Sequence, residues 1–101
     1  MSEPKRPYVA LLTVTVRLAG ARSLKDKRMV VRSLKDVMRS RFGAAVAEID
    51  GLDETTRAVV ALAGVTGARR QADALLAKFE DHLERRFGDL DLTLEGQVVQ
   101  I

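Results

Sequence analysis

The chain has no cysteine, no asparagine and a single histidine, His82. Without cysteine there is no disulfide framework, no thiolate zinc site and no cysteine nucleophile. That also suits a reducing compartment, and the cytoplasm is the expected location. One histidine is a poor ligand inventory, so no metal and no cofactor is expected. The same inventory offers no clear nucleophile or acid–base pair, and no catalytic residue is assigned. No run approaches the ~20 apolar residues of a membrane span, so no membrane association is expected. Residues 1–7, Met1-Ser2-Glu3-Pro4-Lys5-Arg6-Pro7, lack the apolar segment of a signal peptide and read as a flexible lead-in. Aromatics make up only 4% of the 101 residues.

Positive charge, by contrast, is plentiful and unevenly placed. Residues 1–42 hold 11 Lys+Arg against Glu3, Asp26 and Asp36, a net of +8. Residues 43–101 hold six Lys+Arg against 11 acids, a net of −5, which leaves the whole chain at +3. A domain polarised in this way can orient on an anionic partner or pair with a copy of itself.

Most of the excess lies in Ser23–Phe42, S-L-K-D-K-R-M-V-V-R-S-L-K-D-V-M-R-S-R-F. Ser23 suits an N-cap, Asp26 follows in a variant of the capping box, and Gly43 suits a left-handed C-cap. At about 100° per residue, Leu24, Val30, Val31, Leu34, Val37, Met38 and Phe42 share one face. Lys25, Arg28, Arg32, Lys35 and Arg39 share an adjoining flank, spread over roughly 21 Å of helix at about 1.5 Å per residue. Only Asp36 is spaced to neutralise any of them. Lys27 projects toward the apolar face, so its ammonium must snorkel past the end of the core or find a partner. A charge run is commonly a solvated face. One-sided spacing is also what phosphate neutralisation needs. The candidate nucleic-acid contacts are therefore Lys25, Lys27, Arg28, Arg32, Lys35 and Arg39.

The rest of the chain from Tyr8 to Ile101 reads as one domain. Tyr8–Leu18 alternates with period 2 and argues a strand. Ala44–Ile49 and Thr55–Ala63 read as a hairpin across the Asp50-Gly51 turn signal. Gly64-Val65-Thr66-Gly67 reads as a loop before a helix from about Ala68 to Phe87. Leu90–Ile101 is a last strand, in which Gly96 suggests a bulge or a change of pairing. This β-α-β-β-α-β order predicts an α+β domain of the ferredoxin-like kind. It has a four-stranded antiparallel sheet with both helices on one face. The other face would carry Val9, Leu11, Thr13, Thr15, Val59, Ala61 and Ala63, apolar enough to suggest a homodimer through it. The last strand is an alternative edge for pairing.

Leu18-Ala19-Gly20-Ala21-Arg22-Ser23-Leu24-Lys25-Asp26-Lys27-Arg28, with Val30-Val31-Arg32-Ser33-Leu34, Arg41-Phe42 and Val46-Ala47-Glu48, resembles the YlxP-like family of small uncharacterised bacterial proteins. The resemblance implies a ferredoxin-like fold, a domain of unknown function, and genes set among those for transcription termination, translation initiation and ribosome maturation. It therefore implies a cytoplasmic protein near RNA or the ribosome. The Gly64–Gly67 stretch is more glycine-rich than the family pattern.

Other constellations are weaker. Gly64 and Gly67 with Arg69 and Arg70 could form an anion site at a helix start, similar to the G-x-x-G loop of KH domains. A plain turn explains the same residues. An acylphosphatase-like activity on this fold would need an Arg and an Asn, and there is no Asn. The strands carry only Tyr8 among aromatics, so base stacking on the sheet is not expected. The leading expectation is a non-enzymatic protein that binds RNA or the ribosome through its first helix. The alternative is a homo-oligomeric interaction module whose basic helix is merely solvated.

Overall fold

The computed structural model describes residues 5–101. Its elements are β1 (Tyr8–Arg17), α1 (Leu24–Phe42), β2 (Ala45–Asp50), β3 (Arg57–Thr66), α2 (Arg69–Phe87) and β4 (Asp91–Gln100). The strands form one sheet in the order β2-β3-β1-β4. All three pairings are antiparallel. This is the ferredoxin-like topology that the element order predicted.

Alternation decides which residues reach the core. Ala10, Leu12, Val14 and Val16 of β1 are buried with Ala58, Val60 and Leu62 of β3. Above them lie Val31, Leu34 and Met38 of α1, and Ala72, Phe79, Leu83 and Phe87 of α2. Each large apolar side chain so buried is worth about 1.5–3 kcal/mol over leaving it exposed. That packing, more than helix propensity, holds 19-residue helices this rich in charge. The intervening residues of the strands face the other way, onto a sheet surface that neither α1 nor α2 covers.

Helix α1 is also specified at its ends. The Asp26 amide donates to Ser23 Oγ at 3.2 Å. Gly43 closes the helix at φ 63°, its N–H donating to the Arg39 carbonyl at 2.8 Å. Helix α2 has Ala68 at its N-cap, with no side-chain cap hydrogen bond, so its position depends on its seat on the sheet.

That seat corrects two expectations. Gly64 does not begin a loop. It lies within β3, paired with Ala10, and faces the helices. A Cβ there would collide with Leu75 Cδ2 and lie 3.3 Å from Phe79 Cζ. Gly96 marks no bulge, because the β1–β4 ladder runs through it opposite Leu12. A Cβ on Gly96 would lie 2.9 Å from both Leu76 methyls. Ala10, Gly64 and Gly96 thus form a floor of small residues that lets α2 approach the sheet closely. The register shift is instead in β2, between Glu48 and Asp50. The lead-in expected over residues 1–7 lies largely outside the described residues; the Pro7 carbonyl accepts from Ile101 N–H at 3.2 Å. No helix among the described residues is long and apolar enough to cross a membrane.

Candidate functional site

Helix α1 packs on β2 and β3, which sets its basic flank over the β2 edge of the sheet. Lys25, Arg28, Arg32 and Arg39 are exposed and Lys35 is half-buried. Arg28, Arg32, Lys35 and Arg39 line a shallow depression of about 290 Å³, with Val31, Asp36 and Glu48 completing it. Arg39 is partly committed, since its Nη2 donates to the Val46 carbonyl at 3.1 Å and its Nη1 lies 3.8 Å from Asp36 Oδ1. Among the described residues, no acid lies within 4.0 Å of the charged groups of Lys25, Arg28, Arg32 or Lys35.

Apart from Asp36, the acids Asp26, Glu48, Asp50 and Glu54 are engaged away from the stripe. Asp26 Oδ2 accepts from the Arg22 amide at 3.2 Å, within the cap. Asp50 and Glu54 grip Arg57 at 2.8 and 3.0 Å. The hydrogen bond from Arg57 holds the Asp50 carboxyl below its ordinary value of 3.8, helped by the Gly51 N–H. Glu48 turns inward to Lys27.

Lys27 is the main correction to the site. It is fully buried and cannot meet a nucleic acid. Its ammonium donates to the Gly51 carbonyl at 2.6 Å, the Leu52 carbonyl at 3.2 Å and Glu48 Oε2 at 3.2 Å. All three donors of the ammonium are used. Of the two outcomes open to an inward-facing lysine, it finds partners rather than solvent. Its role is to tie the first turn of α1 to the β2–β3 turn.

The second candidate does not assemble. Gly64 is in β3, facing Leu75 and Phe79, and only Gly67 stands at the start of α2. Arg69 and Arg70 are exposed on the helix beyond it, and Arg69 Nε approaches Asp73 Oδ2 at 4.0 Å. The four residues do not converge on one point.

The open sheet face is apolar along its middle. Val9, Leu11, Ala61 and Ala63 are half-buried and Val59 is buried, while Ile49 is 54% exposed and Val65 is 72% exposed. Among the described residues no aromatic lies on it, since Tyr8 packs on the helix side against the core.

One group of residues escaped the sequence reading. Between α1 and α2, Arg41, Phe42, Leu75, Lys78, Asp81, His82 and Arg85 line a cleft of about 600 Å³. Arg41, His82, Arg85 and Arg86 line a smaller hollow beside it. The signal was available: Lys78, His82, Arg85 and Arg86 recur at helical spacing on one side of α2.

Fold and site together define a ferredoxin-like domain with one basic flank, one basic cleft and one open sheet face that is apolar along its middle. Residues 9–94 match the family described as Protein of unknown function (DUF503), and the chain belongs to that family. No curated protein matches the chain. Among solved structures, one similar chain is a dimeric ferredoxin-like protein from an uncultured marine organism. It is 9% identical, with 92% of this chain and 94% of that chain covered at a TM-score of 0.46.

Proposed function

We propose that this protein is a non-catalytic binder of RNA, acting alone or on the ribosome, through the flank Lys25, Arg28, Arg32, Lys35 and Arg39. The observation that carries the reading is the set of four cations without acid partners among the described residues. They repeat every three or four residues, about 4.5–6 Å along the helix axis. A row of solvent-accessible cations on one helix neutralises phosphates without reading bases, so affinity should follow charge and shape rather than sequence. The resemblance of the Ser23–Arg28 segment to YlxP-like proteins, whose genes neighbour those for translation, supports the same reading. Anisotropy with labelled ribosomal RNA fragments tests it. Binding at low salt, lost in the Arg28→Glu, Arg32→Glu, Lys35→Glu triple variant, is expected. Equal affinity in the triple variant sinks the proposal.

The open sheet face favours a second reading, compatible with the first because the face lies opposite the helices. We infer that two copies pair through it. Three strands of ten residues and one of six, about 4.8 Å apart at about 3.3 Å per residue, present about 600 Å². Two copies would then bury about 1,200 Å², the lower limit for a stable interface. Sedimentation velocity at high micromolar concentration should show a dimer, and Ala61→Glu should yield a folded monomer. A wild-type monomer at that concentration, or dimerisation unaffected by Ala61→Glu, rejects pairing through this face. The second outcome would redirect attention to the β4 edge.

A further inference from the structure

We propose that the cleft between α1 and α2 is a separate binding site for a nucleotide unit, a phosphate joined to a planar ring. The cleft combines the two chemistries such a unit needs. Arg41 projects from α1, and Lys78, Arg85 and Arg86 project from α2. The acid in its wall, Asp81, is taken by Arg85 at 2.8 Å. Among the described residues, no acid lies within 4.0 Å of the charged groups of Arg41, Lys78 or Arg86. Arg41 and Lys78, which line the cleft itself, can therefore hold a phosphate; Arg86 lines the hollow beside it, its guanidinium 5.8 Å from the Phe87 ring centroid.

Ring recognition comes from the same walls. Phe42 and His82 both border the cleft. Phe42 packs edge-to-face on buried Phe79, with centroids 5.3 Å apart, and His82 packs edge-to-face on Phe42 at 5.5 Å. The pair is thus anchored to the core at the wall of the cleft. Phenylalanine and histidine are side chains on which unstacked bases settle, and every base presents a π-face. At about 600 Å³ the cleft is within the roughly 300–1,000 Å³ range of small-ligand sites.

The site does not depend on the flank reading. Residues 39 and 41 are about 200° apart on the helix, so Arg39 and Arg41 serve opposite sides of α1. The unit could be a free nucleotide or one residue of a single strand.

Amide NMR titration of the whole chain separates these, using adenosine 5′-monophosphate in one arm and a hexauridylate in the other. Shifts over Arg41–Gly43 and Lys78–Arg86 are expected with at least one probe. Shifts with the mononucleotide identify a free-nucleotide site, and shifts with the hexamer alone identify a strand site. Phe42→Leu keeps apolar volume but removes the ring, and should weaken binding about fivefold or more. Exposed Lys78→Glu should weaken it further, and its melting curve reports whether the fold persists. The same cleft shifts should survive in the Arg28→Glu, Arg32→Glu, Lys35→Glu variant, even if flank binding is lost. Absence of cleft shifts with both probes, or unchanged affinity in both Phe42→Leu and Lys78→Glu, overturns the proposal.

Discussion

Replacing Lys27 with methionine keeps the length and apolar stem of the side chain and removes only its charged end. In the native fold that end satisfies two backbone carbonyls and a carboxylate at 2.6–3.2 Å, and the lysine side chain is fully buried. Removing one partner of a buried pair costs about 3–5 kcal/mol, because the other is left uncompensated. The Glu48 side chain is 13% exposed, so its carboxylate can recover some water, which sets the expectation at the lower end, about 3 kcal/mol. For a domain of this size each kcal/mol moves Tm by about 4–8 °C, so the variant should melt about 12–24 °C lower. Urea unfolding followed by circular dichroism gives the free energy directly. The Lys27→Met/Glu48→Met double variant should lose less than the single one, because no stranded carboxylate remains. Refutation would be a single-variant loss under about 1 kcal/mol, the value of an exposed ion pair. Polyanion affinity measured on the folded variant should be unchanged, since the ammonium never reaches the surface.

Other perturbations follow from the same geometry. Gly43 and Gly51 both have positive φ, 63° and 75°, but only at Gly51 would a Cβ meet backbone, 2.8 Å from the Arg57 carbonyl oxygen. Gly43→Ala should therefore cost about 1–2 kcal/mol and Gly51→Ala clearly more; equal losses by urea unfolding contradict the contact. Gly64→Val should destabilise by about 1–3 kcal/mol through overpacking under α2. Leu75→Ala in the same chain should return part of that, and strict additivity of the two losses argues against the close approach. A carboxyl NMR titration should place Asp50 below its ordinary 3.8 and move it back toward that value in Arg57→Met, with the Gly51 N–H retaining part of the shift. Because its folded value is depressed, its contribution to stability is present above that ordinary value and fades as pH falls through the folded one. An Asp50 titration insensitive to Arg57→Met would remove the ion pair from the account.

Much of this fold is legible in residue order because its local signals agree. Ser23 and Gly43 delimit α1, the alternation in Tyr8–Arg17 sets the two faces of β1, and Leu83 and Phe79 keep helical period. The failures share a physical cause. Gly64 and Gly96 carry the chemistry of turns, yet they sit in strands because Leu75, Leu76 and Phe79 need room above them. That demand comes from across the core, and no local pattern announces it. Lys27 shows the same limit: helical phase placed it inward, but its partners Glu48, Gly51 and Leu52 come from β2 and the turn after it, more than 20 residues away. Conversely, the flank Lys25 to Arg39 needed only one helix to be read. The cleft needed two, with Arg41 on one and Lys78, His82 and Arg85 on the other.

The central claim is that the flank of α1 neutralises phosphates, and its most direct measure is the salt dependence of RNA affinity. Four cations without acid partners, at about −0.7 each on a single strand, predict a slope of log K against log salt near −3. The Arg28→Glu, Arg32→Glu, Lys35→Glu variant should bring that slope close to zero. A wild-type slope near zero, or a slope unchanged by the triple substitution, would contradict the account.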